Sequence, residues 1–171
     1  MKTRQAAVVA DVDAIQDDFE LNEYLPFRLA VAATAVSRLL ARRFNEAHGL
    51  GISEWRVLSV IGKQGVVSPS VIGNMAAMDK VKVSRAGANL VARGMVKQSP
   101  DPRDGRGRLL RLTRKGATAY RGLLAIARET EEELSRGMTK ADWSSLKNAL
   151  EKLRNHTRSI AGDFPDAEAA D

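Results

Sequence analysis

Between residues 80 and 89 the chain sets out side chains suited to holding a polyanion. Lys80, Lys82 and Arg85 are cations, and Ser84 and Asn89 carry hydrogen-bonding groups. These five fall mostly off an apolar stripe formed by Val83, Ala86, Leu90 and Val91. Apolar residues at that spacing predict an amphipathic helix from Asp79 to Arg93. Asp79 is a good N-cap, and Gly94 is placed to close the helix as its C′ residue. A helix that is cationic at its beginning and anchored by an apolar face is one that the major groove of DNA admits. Charged helix faces are commonly just solvated, so this helix means little without its neighbour in the chain.

That neighbour is a hairpin. Val96 to Ser99 reads as a short strand ended by Pro100 and Pro102, because proline offers no ladder donor. Asp104-Gly105 is a hairpin-turn dipeptide. Arg108 to Thr113 then alternates, with Leu110 and Leu112 on one face and Leu109 and Arg111 on the other. The tip carries Arg103 and Arg106 beside Asp101 and Asp104. Arginines on a projecting loop suit a narrow minor groove or its phosphates. The two aspartates are expected to be scaffold, holding Arg103 by an ion pair or capping turn amides.

These residues carry a resemblance. Asp79-Lys80, Val83-Ser84-Arg85, Leu90, Ala92-Arg93-Gly94, the run Asp101-Pro-Arg-Asp-Gly-Arg106 and Leu112-Thr113-Arg-Lys-Gly116 are together similar to the multiple-antibiotic-resistance regulator (MarR) family. Tyr24-Leu-Pro-Phe-Arg28 and Glu54-Trp-Arg-Val-Leu58 extend the likeness to roughly residues 20 to 157. The resemblance implies a dimeric winged helix-turn-helix transcription regulator. It implies a repressor released when a small ligand, aromatic or anionic, enters a cleft above the DNA-binding part. The chain departs from the pattern at Val81, where many relatives have a small polar residue, and this leaves the target sequence open.

Composition narrows the field. The 171 residues suit one domain with helical additions, and the 44% apolar content is enough for a core. With no cysteine, disulfides, thiolate metal sites and a cysteine redox switch are excluded, and with them the thiol-sensing branch of the resembled family. No run of 18 apolar residues predicts a membrane span. The opening residues, interrupted by Asp11, do not read as a signal peptide, so a cytoplasmic protein is expected. Net charge is +6, unevenly spread: residues 53 to 116 hold 13 Lys and Arg against 4 Asp and Glu. The positive charge sits where the helix and hairpin sit, as a nucleic-acid-binding module requires.

The elements that must position these groups follow in order. Residues 1–18 read as a flexible arm. Residues 19–50 hold a long helix entered at Asn22 and Pro26, with a stripe from Leu25 through Leu29, Val36 and Leu40 to Phe44, ending near His48-Gly49. Residues 51–116 are the DNA-binding region. Ser53 is expected to cap its first helix, which ends between Gly62 and Gly65, and Ser68-Pro69 begins a short second helix. Ala76-Ala77-Met78 turns into the Asp79 helix, giving a helix-turn-helix. Residues 117–160 hold two C-terminal helices, capped by Thr113 and Thr139 and interrupted at Gly137. Their apolar faces, such as Trp143, Leu146, Leu150 and Leu153, exceed what one copy needs to bury and imply a homodimer. Residues 161–171 read as a disordered acidic tail.

No enzyme, cofactor or metal site is expected. His48 and His156 belong to no triad or metal spacing, and His48 at a helix end suits the helix dipole. The acidic run Glu129, Glu131, Glu132, Glu133 reads as a solvated face. Arg28 is either a surface cation or a hold on an anionic ligand, and Trp55 is a core or cleft-wall residue. With His48 these form the candidate ligand cleft. The fold class expected is mainly α with a small β-hairpin wing, flanked by N- and C-terminal dimerisation helices. The function expected is sequence-specific binding to a pseudo-palindromic DNA site, with sequence-independent architectural binding as the alternative.

Overall fold

The computed structural model describes residues 19–161, with the backbone alone for residues 105, 106 and 161. The expected arm over 1–18 and the tail from 162 onward lie outside the described residues. The elements run α1 (Leu25–His48), α2 (Ile52–Gln64), β1 (Val66–Val67), α3 (Pro69–Ala76), α4 (Lys80–Ala92), β2 (Val96–Asp101), β3 (Asp104–Leu112), α5 (Arg114–Arg136) and α6 (Lys140–Ala161). The chain divides into two compact units after Ala35, within α1.

In the first unit a turn over residues 21–23 leads into α1, and the rings of Phe19 and Tyr24 meet at 5.4 Å. Pro26 lies in the first helical turn, where its missing N–H has no partner to lose. Leu25, Leu29 and Val31 are exposed. In the second unit the core gathers Phe44 and Leu50 with Val57, Leu58 and Ile61 of α2, Ile72 of α3, Val83, Ala86 and Leu90 of α4, and Leu123 of α5. α2 packs on α3, α4, α5 and β3, which makes it the centre of the unit. Every described residue of α6 except Trp143 is exposed, including Leu146, Leu150 and Leu153.

The caps follow local chemistry. Ser68 accepts the Val71 amide, Asp79 that of Lys82 at 2.6 Å, Thr113 that of Gly116 and Thr139 that of Asp142. The cap of α2 corrects the expectation of Ser53. Gly51 is the N-cap, and the Glu54 carboxylate reaches back to the Gly51 amide at 3.1 Å. A glutamate at the third helical position supplies the acceptor that glycine lacks. The far end of α2 falls within the expected stretch: the helix continues through Gly62 and stops at Gly65, whose φ is +86°.

The sheet differs from the expected two-stranded hairpin in three ways. It has a third strand, in the order β1-β3-β2, because Val66 and Val67 pair with Arg111 and Leu110. β2 also runs through Pro100, opposite Arg108, with a register shift between Pro100 and Asp101. Finally, the turn is Pro102-Arg103, and Asp104-Gly105 lies in β3. Pro102 pre-sets the backbone for the first turn position, and the Asp101 carboxylate accepts the Arg103 amide at 2.9 Å. The turn thus lies two residues earlier in the chain than the Asp-Gly signal. Where β3 hands over to α5, Gly116 passes so close to the Met95 carbonyl that no Cβ would fit.

Candidate nucleic-acid interface

α3 and α4 make the helix-turn-helix. Ala77 adopts the left-handed conformation at φ +49°, and the Met78 amide bonds back to the Gly73 carbonyl at 3.0 Å. Gly73 has no Cβ to strike the Met78 carbonyl, which lies 2.9 Å from where a Cβ would stand. Asp79 then opens α4. Its carboxylate lies below the usual aspartate range, chiefly because it accepts the Lys82 amide and also because it faces the Lys82 ammonium. α4 buries Val83, Ala86, Gly87 and Leu90. At its end Met95 bonds to the Leu90 carbonyl and Gly94 to that of Val91, with Gly94 at φ +68°.

The residues read from the sequence as DNA-binding differ in what their side chains meet. Lys80, Val81, Lys82, Ser84 and Arg85 are exposed on the N-terminal part of α4. Lys82 also pairs with Asp79 at 3.2 Å. Val81 is 57% exposed, so an apolar β-branched side chain stands open among cations. Asn89 is different: its amide donates to Glu54 of α2 at 2.8 Å, so part of its hydrogen-bonding capacity is taken within the fold. Arg103 is exposed at the hairpin turn, and Asp101 holds its amide. The side chain of Arg106 lies outside the described residues. Of the two expected scaffold aspartates, Asp101 caps a turn amide, and Asp104 pairs with Asp101 across the turn.

The three residues expected in a ligand cleft each have partners within their own unit. Arg28 pairs with Glu23 at 3.2 Å within the first unit, both side chains well exposed. Trp55 is packed between Phe44, at 5.3 Å, and Tyr120, stacked at 5.9 Å. The His48 ring lies where a Cβ on Gly122 would be. The second unit does have an open cleft of about 480 Å³, but Arg43, Glu46, Ala47, Ile126, Glu129 and Glu133 line it. His48 and Trp55 do not line this cleft, and both pack against α5, Trp55 as a core residue. Tyr120 was missed by sequence reasoning. Its signal was Gly62 inside a helix, a mark of close approach, and a Cβ there would stand 2.7 Å from the Tyr120 ring.

One further polar residue was not anticipated. The Arg93 guanidinium donates to the His48 carbonyl at 2.8 Å and to the Gly49 carbonyl. These belong to the end of α1, where carbonyls lack helical partners. Among the described residues, no group of three or more His, Asp or Glu side chains could hold a metal ion, and no helix is long and apolar enough to cross a membrane.

Comparison with known proteins agrees with this geometry. Residues 48–107 match the model of the MarR family. The HTH-type transcriptional repressor IacR of Pseudomonas putida is 24% identical over 148 residues, 86% of this chain and 88% of that protein. A MarR mutant from E. coli, solved in complex with operator DNA, superposes with a TM-score of 0.69 at 24% identity, over 78% of this chain and 96% of that one. BpsR of Bordetella bronchiseptica, whose DNA binding is regulated by 6-hydroxynicotinic acid, superposes with a TM-score of 0.64 at 21% identity, over 74% of this chain and 98% of that one.

Proposed function

We propose that this chain, whose residues 48–107 match the MarR family model, is a homodimeric, sequence-specific transcriptional repressor of that family whose grip on DNA is released by a small ligand. The observation that carries the reading is the division of α4 into two faces. Val83, Ala86 and Leu90 are buried, while Lys80, Lys82 and Arg85 stand exposed, and the hairpin that follows in the chain presents Arg103. In this reading α4 enters the major groove and the hairpin tip lies along the neighbouring minor groove or its phosphates. Residues 51–116 form the DNA-binding region, and Lys80, Val81, Lys82, Ser84, Arg85, Arg103 and Arg106 are its contacts. Lys and Arg supply charge to the backbone, and Arg85 is placed to pair with a guanine edge. Val81 offers a methyl surface for thymine.

Residues 19–50 and 117–160 supply the dimer. The exposed leucines of α6 and of the start of α1 are apolar surface that a second copy would cover. Two-fold symmetry then calls for a pseudo-palindromic site with half-sites about 34 Å apart. A ligand acts by binding better to a conformer whose two α4 helices are wrongly spaced for DNA. The reading places the protein in the cytoplasm and gives it no catalytic role.

Footprinting the purified protein on DNA flanking its own gene tests this directly. The expected result is protection of one pseudo-palindrome, bound at least ~10³ more tightly than unrelated DNA of equal length. Equal affinity for both would instead mark an architectural protein.

A further inference from the structure

We infer that Arg93 and the Glu54–Asn89 pair form a two-point polar clamp that sets the tilt of α4 from its C-terminal end, and that Asn89 does not read bases. The inference rests on the DNA-binding reading above and deepens it. Asn89 and Arg93 are four residues apart, so they lie on one face of the helix. Arg93 reaches the end of α1 and its junction with α2, and Asn89 reaches the first turn of α2 beside it. Arg93 donates to the carbonyls of His48 and Gly49, and Asn89 donates to Glu54 Oε1, whose other oxygen holds the Gly51 amide. Gly49, at φ +60°, turns the chain back beneath Arg93, whose Nη2 lies 3.4 Å from where a Cβ would be. On its far side Arg93 is held through its own carbonyl, which accepts Lys115 Nζ at 2.9 Å.

The lever explains why a clamp at this end matters. The exposed cations sit at the opposite end of α4, about 20 Å away at 1.5 Å per residue. A tilt of about 5° at the clamp moves Lys80 by about 1.7 Å, well beyond the roughly 0.5 Å within which a binding constellation must be held. The buried apolar face fixes which side of α4 faces the core, but dispersion contacts are individually weak and non-directional. Charge-assisted bonds from a planar guanidinium to two carbonyls are directional. The junction is also fixed from the α5 side, since the His48 ring packs on Gly122. A shift of α5 therefore reaches α4 through the clamp.

The test uses the full chain and the duplex footprinted beside its own gene. Glu54→Ala, Asn89→Ala and the double variant should each lose about tenfold in affinity, and the double should lose no more than either single. An Asn89→Ala loss that persists in the Glu54→Ala background would make Asn89 a DNA contact and overturn the clamp. Arg93→Ala should lose affinity for the footprinted duplex while its salt slope and its binding to unrelated DNA stay as in the wild type. A slope lower by about one unit would mean a lost phosphate contact and defeat the assignment. Arg93→Lys should recover part of the loss. A second measurement needs no DNA: hydrogen exchange of amides 89–95 should quicken in Arg93→Ala and Glu54→Ala while those of α3 stay protected. Unchanged exchange would also overturn the clamp. A wild-type protein that binds no DNA would sink the regulator reading alone, and the exchange result would still decide the clamp.

Discussion

Arg43 of α1 and Glu133 of α5 meet at 2.6 Å across the cleft of the second unit, and the same guanidinium donates to the buried Thr130 hydroxyl at 2.8 Å. Thr130 in turn donates to the Ile126 carbonyl. One arginine thus joins a partly exposed carboxylate to a hydroxyl that has left water entirely, so that no described buried side-chain polar atom is without a partner.

The pair makes a prediction about acid. The Arg43 hydrogen bond holds the Glu133 carboxyl below the usual glutamate range. A depressed folded value means that its contribution is fully present above the unfolded pKa and is lost as pH falls through the folded one. Both side chains are partly solvated, and solvent screens such pairs. Glu133→Gln should therefore lower the melting temperature near neutral pH by no more than about 3 °C. The gap to wild type should close as the pH drops below the glutamate range. Melting curves across that range check it, and a gap that widens in acid would contradict the pairing.

Val81 predicts a methyl-dependent preference. If it covers a thymine C5-methyl, replacing the right thymine in each half-site by deoxyuridine removes a buried carbon worth about 0.8 kcal/mol, or about fourfold in affinity per contact. Val81→Ala should bind the thymine and deoxyuridine duplexes alike. Scanning deoxyuridine through the footprinted site measures this. Sensitivity that survives in Val81→Ala would assign the methyl to another side chain.

Asp101 predicts a result with the opposite sign to simple charge counting. Removing an acid beside DNA should tighten binding, yet Asp101 holds the Arg103 amide in the turn. Asp101→Ala should therefore bind more weakly than wild type, whereas Asp101→Asn keeps the acceptor and should bind at least as tightly. Affinities at two salt concentrations decide it. If both variants bind more tightly, the turn does not depend on this cap.

The exposed leucines of α6 predict the assembly. Leu150→Asp with Leu153→Asp alters side chains that are 41% and 40% exposed, so the single chain should keep its helical content. Carboxylates on a covered face leave unpaired charge, and dimers should fall to monomers at micromolar concentration. Sedimentation equilibrium reads this directly, with operator affinity expected to fall in parallel. A dimer that persists would move the interface away from α6.

Much of this protein was legible in its sequence because the signals are local. Ser68, Asp79, Thr113 and Thr139 each cap a helix through an amide three residues on, and the stripe of Val83, Ala86 and Leu90 decides which face of α4 is buried. Both act within a helical turn or two, so residue order alone specifies them, as it specifies where the positive charge is gathered. The tertiary structure decided what depends on partners far along the chain. Val66 and Val67 are a strand only because β3 lies beside them, and the choice between Pro102-Arg103 and Asp104-Gly105 as the turn came from pairing register. Asn89 finds Glu54 across 35 residues, and Arg93 finds His48 across 45. A polar side chain on a helix reads the same in sequence whether it faces DNA or a neighbouring loop. Only chain packing settles which it meets, because a hydrogen bond needs its partner within about 3 Å.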